Sequence, residues 1–291
     1  MKWDIVFTQS VKPYDSYVDW TNLVHLSGYE VCPVMNVDFK RKAIYIICPT
    51  NSDFPELCRK TSMTKDKFGE AKFVFWQLER PCAQTNETIS KTLFSQQMDR
   101  YLESVNFVWT PHQYLSNMDS RAIHVPVGSH PDLREVYLSA EYKPELKYDI
   151  ALMSYKNKRR APIYGELQKT WKVSPNAQRA QRDALLRASR VLLTVHQTPS
   201  PITEPQRLAI AATHRMPLIT EEICCPWPLT QRDYLGAKYK AFIRAVNSWL
   251  LLPHESLKKY GEILHKRLCV EYTFRKLVDL GVAETIRRIE S

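Results

Sequence analysis

Nowhere in the 291 residues does an apolar run approach the roughly 20 residues that a membrane-spanning helix needs. The opening Met1-Lys2-Trp3-Asp4-Ile5-Val6-Phe7 also lacks the long apolar core and small-residue cleavage site of a signal peptide. It reads as a first β-strand, and a cytoplasmic protein without integral membrane association is the expectation. Seven cysteines (Cys32, Cys48, Cys58, Cys82, Cys224, Cys225, Cys269) are odd in number and scattered, with no Cys-x-x-Cys pair. That spacing excludes an ordinary structural zinc site or disulfide framework and leaves buried, reduced thiols, which pack as small hydrophobes. Glycine is scarce, at seven residues, and no Gly-x-Gly-x-x-Gly follows any strand pattern, which argues against a dinucleotide-dependent dehydrogenase. There is no internal repeat and no low-complexity tract.

What is present is globular: 44% hydrophobic, 25% charged and 11% aromatic residues, in a chain long enough for two ordinary domains. The formal net charge is +10. A surplus of this size favours a polyanionic partner, nucleic acid ahead of an anionic membrane surface, although many basic proteins bind only a phosphorylated small molecule.

Short β-branched or aromatic runs alternate with helical patterns almost throughout. In the first half the pattern predicts strands over Asp4–Thr8, Ala43–Cys48, Lys72–Trp76, Asn106–Thr110 and Ala122–Val125, with helices over Asp15–Leu26 and Glu87–Leu102. In the second half it predicts strands over Tyr148–Met153, Val191–Val195 and Pro217–Thr220. Helices are expected over Ala161–Lys169, Ala180–Ala188, Glu204–Thr213, Lys238–Leu251, Ser256–Leu268 and Tyr272–Ile289. Strands separated by helices imply βαβ units and parallel sheets. The polar stretch Pro131–Lys147 marks the expected boundary between a first domain, 1–135, and a second, 146–270. In such folds ligands bind beyond the carboxyl ends of the strands, and with two domains the cleft between them is favoured.

Three constellations fall at strand ends of the second half. Ser154-Tyr155-Lys156-Asn157-Lys158-Arg159-Arg160 follows one strand and precedes a helix with Pro162 in its first turn. Backbone N–H groups, a helix dipole and four cations would there suit a diphosphate, though a solvated basic loop has the same composition. Thr194-Val195-His196-Gln197 ends a second strand ahead of Thr203-Glu204-Pro205-Gln206-Arg207. Glu204 either favours the helix start or accepts hydrogen bonds from ribose hydroxyls. His196 is a structural histidine or a donor to a phosphate or sugar oxygen. The third, Pro217-Leu218-Ile219-Thr220-Glu221-Glu222, empties a buried strand into two acids that balance the basic loop or contact a sugar.

Together these blocks resemble the C-terminal domain of GT-B glycosyltransferases of the family 1/family 4 type. The resemblance rests on Asp149-Ile150-Ala151-Leu152-Met153-Ser154 with Arg159-Arg160, then His196, Glu204-x-x-Arg207, Ala211-Ala212, Met216-Pro217-Leu218-Ile219 and Glu221. Trp76-Gln77-Leu78-Glu79-Arg80, Val108-Trp109-Thr110 and Val125-Pro126-Val127-Gly128 are similar to the N-terminal domain, and 271–291 to the helix that crosses back to it. The pattern departs where a glutamate and a glycine are usual, at Ile210 and Arg215, and no glycine-rich loop follows the first strand.

The resemblance implies an α/β chain of two Rossmann-like domains whose parallel sheets face across a cleft, and transfer of a sugar from a nucleoside-diphosphate donor, UDP-sugar by expectation. Ser154, Lys156, His196, Glu204, Arg207 and Glu221 would bind the donor, with Lys156, Arg159 and Arg160 offsetting charge on the leaving diphosphate. An inverting reaction needs a carboxylate base from the first domain, Asp15 or Glu79. Asp15 is equally placed to cap a helix, Glu79 to pair with Arg80, and a retaining reaction needs neither. With no Asp-x-Asp in the chain, no obligatory metal or other cofactor is expected, although Mg²⁺ could assist product release. The charge surplus, with basic-aromatic patches such as Phe39-Lys40-Arg41-Lys42, fits a DNA acceptor bearing hydroxymethylated bases, as in phage-type DNA glycosyltransferases, acted on by a monomer. A saccharide, lipid or protein acceptor, or a non-catalytic nucleic-acid-binding module on a degenerate scaffold, are the alternatives.

Overall fold

The computed structural model describes residues 2–9, 15–47, 70–78, 91–134, 145–153, 157–176, 179–196, 199, 205–223 and 227–291. They form two compact units. One takes in Met1–Thr85, Ile89–Pro126 and the terminal segment Phe274–Ser291; the other takes in Val127–Thr273. No helix among the described residues is long and apolar enough to cross a membrane.

The first unit carries β1 (Asp4–Gln9), α1 (Asp15–Leu26), β2 (Glu30–Pro33), β3 (Ala43–Ile47), β4 (Lys72–Trp76), α2 (Lys91–Leu102), β5 (Phe107–Thr110), α3 (Gln113–Met118) and β6 (Ala122–His124). The strands form one sheet in the order β2-β1-β3-β4-β5-β6, parallel throughout. Every residue of β3 and all but the first of β4 is buried, as a sheet covered on both faces requires. Gly28 ends α1 in the left-handed region, φ 76°, where a side chain would be strained.

The core of this unit is aromatic. Trp20 packs edge-on against Trp76 and Phe274, each at 5.0 Å between ring centroids, and Trp76 against Trp109 at 5.2 Å. Two of the three indole N–H groups find acceptors: Trp76 Nε1 donates to Val125 O at 3.1 Å and Trp109 Nε1 to Thr285 Oγ1 at 2.9 Å. Thr285 and Phe274 belong to the chain's last helix, so this segment is part of the first unit's core. Gly281 permits the approach, since a Cβ there would meet Val125 Cγ2 at 2.6 Å.

The second unit holds β7 (Tyr148–Leu152), α4 (Arg160–Gln168), α5 (Arg179–Arg187), β8 (Ser189–Thr194), α6 (Pro205–Thr213), β9 (Leu218–Glu221), β10 (Leu235–Ala237), α7 (Phe242–Leu250) and α8 (His254–His265). A π-helical turn, Lys266–Glu271, follows, and α9 (Phe274–Glu290) is the terminal helix of the first unit. The sheet order is β10-β9-β8-β7, again parallel. The chain enters this unit at Val127, earlier than the polar stretch 131–147 suggests. The reason is Ser129, fully buried, whose N–H donates to Leu268 O at 3.0 Å and whose hydroxyl meets Ala209 O at 3.2 Å and Thr213 Oγ1 at 2.6 Å.

Both family departures have a structural account. Ile210 sits in the apolar cluster with Leu186, Leu192 and Leu218. Arg215 takes φ 52°, the left-handed conformation that a glycine adopts without strain, and closes α6 through Met216 N to Ala211 O at 2.9 Å. Of the cysteines, Cys269 is buried, and burial pushes its thiol up to about 11. Cys32 is only half-buried, because β2 is an edge strand, and the other five lie outside the described residues.

Candidate functional site

The carboxyl ends of β7, β8 and β9 lie side by side in the second sheet. Onto them the sequence delivers three guanidiniums and one carboxylate. Glu221 is the last residue of β9 and is 6% exposed. Its two oxygens accept from Nη1 and Nη2 of Arg159, each at 2.5 Å, a fork-to-fork pair. Glu221 Oε1 also accepts from the His196 backbone N–H at 2.7 Å, and Arg159 Nη1 donates to His196 O at 2.9 Å. One carboxylate and one guanidinium therefore fix the chain where it leaves β8.

Tyr239 completes the clamp. It starts the turn Tyr239–Ala241 after β10, its hydroxyl donates to Arg159 O at 2.8 Å, and its ring lies 3.9 Å below the Arg159 guanidinium. Arg160 turns the other way: it is 3% exposed and its Nε donates to Val195 O at 2.7 Å. Arg207, on α6, donates to Thr194 Oγ1 at 2.6 Å. Among the described residues, three guanidiniums meet one buried carboxylate at these strand ends, an excess of positive charge, with Glu222 exposed just beyond β9. Burying charge is costly unless each ion is paired or hydrogen-bonded, and here each buried one is. The arrangement suits an anionic ligand with several oxygens.

The start of α4 differs from the expected phosphate cradle. Asn157 Oδ1 accepts from the N–H groups of Arg159 at 3.0 Å and Arg160 at 2.8 Å, and Asn157 O from Ala161 N at 2.9 Å. Two of the first-turn donors expected for a diphosphate, the N–H groups of Arg159 and Arg160, are thus taken by an asparagine cap.

Of the candidate residues, Arg159, His196 and Glu221 meet directly, and Arg160 and Arg207 flank them at the same sheet end. Asp15 is the first residue of α1, in the first unit. Ser154, Lys156, Glu79 and Glu204 lie outside the described residues. Two contributors were not expected, Asn157 as a cap and Tyr239 as a clamp. Tyr239 follows a strand of three residues with a central glycine, too short to read from a pattern. Among the described residues no three His, Cys, Asp or Glu side chains come together as a metal site requires.

No protein-family model and no curated protein matches the sequence. Solved structures do match, across nearly the whole chain. HepE of Anabaena, crystallised with UDP-glucose, aligns over 99% of this chain and 100% of its own at TM-score 0.61 and 8% identity. An α-glucosyltransferase in complex with UDP and a 13-mer DNA aligns over 97% and 100% at TM-score 0.56 and 7% identity. AviGT4, a glycosyltransferase involved in avilamycin A biosynthesis, aligns over 98% of each chain at TM-score 0.54 and 12% identity. At such identities the likeness is one of fold, and with two parallel-sheet α/β units the chain has the GT-B fold.

Proposed function

We propose that this protein is a glycosyltransferase that moves a sugar from a nucleoside-diphosphate donor, a UDP-sugar, to an acceptor hydroxyl, and that the acceptor is a hydroxymethylated base in DNA. The observation that carries the reading is the Arg159–Glu221–His196 cluster with Arg160 and Arg207 at the strand ends of the second unit. A diphosphate leaving group is the anion such a cluster suits, and solved proteins of this fold hold UDP-glucose or UDP.

In this reading the acceptor oxygen bonds to the sugar's anomeric carbon while the bond from that carbon to the diphosphate breaks. The acceptor's proton leaves to a carboxylate base, Asp15 or Glu79, if the anomeric centre inverts, and otherwise towards the departing diphosphate. Arg159 and Arg160, with Lys156, offset the charge that grows on the diphosphate. Glu221 and Tyr239 keep the Arg159 guanidinium in place before the donor arrives, so no reorganisation is needed during the reaction. Glu204 serves the ribose hydroxyls, and His196 and Ser154 serve phosphate or sugar oxygens. The DNA part of the proposal draws on the net charge of +10 and on the DNA present with one protein of the same fold.

The test is transfer itself. Purified protein with radiolabelled UDP-glucose, and with other UDP-sugars in parallel, is expected to label DNA containing hydroxymethylcytosine and to leave unmodified DNA unlabelled. Release of free sugar with no label in DNA would keep the donor half and remove the acceptor half. No turnover of any nucleotide sugar would remove both.

A further inference from the structure

Among the strongly exposed large apolar side chains of the described residues, one is aromatic: Trp227, 40% exposed. It lies in the segment between β9 and β10, downstream of Glu221. Its ring stands edge-on to Tyr272 at 5.7 Å between centroids. Tyr272 in turn lies under the Arg267 guanidinium at 5.7 Å, and Arg267 is held by buried Asp233 at 3.3 Å and by Glu271 at 2.7 Å.

Topology brings the Tyr272 side of this shelf towards the carboxyl end of the second sheet, while Asp233, two residues before β10, lies at the amino end of that parallel strand. From β10 the chain descends through α7 to the amino end, where Leu252 O accepts from Arg190 Nη2 at 3.0 Å beside the start of β8. It then climbs through α8 antiparallel to α6, with His265 Nδ1 3.0 Å from Ala212 O and Leu268 bound to Ser129. Tyr272 therefore arrives at the end of the sheet that carries Glu221 and the guanidiniums. The turn that supplies Asp233 is itself fixed, by Thr230 N to Asp233 Oδ2 at 2.6 Å and Arg232 N to Thr230 Oγ1 at 3.3 Å. It presents exposed Gln231 and Arg232, and Lys266, 73% exposed, precedes Arg267.

We propose that Trp227 is a stacking platform for an unpaired base of a nucleic-acid strand, with Arg232 and Lys266 on the same support serving its phosphates; this rests on the DNA-acceptor reading above. A ring held by a second ring and a fixed cation loses little freedom when a base stacks on it. Stacking with flanking cations is also how single strands are held without sequence readout. The platform gives an extruded or single-stranded base a surface on which to lie.

The experiment measures full-length protein binding a fluorescent 12-nucleotide single strand with a central hydroxymethylcytosine, in wild type, Trp227→Ala and Trp227→Phe. The expected result is a loss of roughly 5- to 150-fold for Trp227→Ala, most of it recovered by Trp227→Phe, with UDP affinity unchanged. Removing single bases from the strand should weaken wild type at one position and leave Trp227→Ala indifferent there. Equal binding by Trp227→Ala, no strand binding by wild type, or a parallel loss of UDP affinity would each overturn the platform. Trp227-dependent binding without label transfer into DNA would instead sink the acceptor reading and leave the platform standing.

Discussion

The two units solve the same parallel-sheet problem with different interiors. In the first, tryptophan and phenylalanine rings fill the core, and Asp119 is the only buried Asp, Glu, Lys or Arg among that unit's described residues. In the second, Arg160, Asp183, Arg207, Glu221 and Asp233 are all buried. Apolar packing is the cheaper way to hold a sheet, since a buried ion pair rarely adds stability over a well-packed hydrophobic substitute. Of these, Arg160, Arg207 and Glu221 gather at the carboxyl ends of the strands, where the donor site is proposed, while Asp183 and Asp233 are held in ion pairs elsewhere in the unit.

Truncating either interior is expected to be destabilising, but only one truncation should also remove donor binding. Glu221→Ala leaves the part-buried Arg159 guanidinium without its counter-ion and should cost up to about 3 kcal/mol in denaturant unfolding, together with most UDP affinity. Trp109→Ala should cost ~3–5 kcal/mol by opening a cavity and removing the indole donor to Thr285 Oγ1. Enough folded Trp109→Ala should still bind UDP normally, and a matching loss of UDP binding would erase the contrast.

Acid sharpens the comparison. The Arg121 guanidinium holds the Asp119 carboxyl at about 2, below its ordinary 3.8. A carboxyl depressed on folding stabilises the native state above its unfolded value, and that contribution fades as pH falls from about 4 through about 2. Asp183, beside His214 and Arg182, is likewise held below the usual range despite its burial. Asp119→Asn and Asp183→Asn should each flatten the acid limb of a stability–pH curve, while an unchanged limb would show that neither carboxyl is tied as described. The smallest effect is expected at Arg215: replacing it by glycine relieves the left-handed strain and gives up one exposed pair with Glu262, raising stability by up to about 1 kcal/mol.

Much of this was legible in the sequence, because central parallel strands are apolar from end to end. The strand pattern gives Lys72–Trp76 to the residue, and Arg159, His196 and Glu221, singled out near strand ends, do meet in the structure. Of the four edge strands, β6 and β7 were legible and β2 and β10 were not. Glu30–Pro33 contains a proline and stays partly exposed, and Leu235–Ala237 is three residues long. Tyr239 was missed with the strand that delivers it. Asn157 stood in plain view within the basic loop, but whether its side chain folds back on its own helix is decided by local geometry that composition does not encode. Nor does sequence reveal that Arg215 bends into a glycine's conformation.

Hydrogen exchange with and without saturating UDP tests the central claim most directly. Protection is predicted in the second unit, at the peptides spanning Asn157–Ala161, Thr194–His196, Thr220–Glu222 and Tyr239, with the first unit's aromatic core unchanged. Protection confined to the first unit, or no protection at all, would contradict the assignment of the donor site.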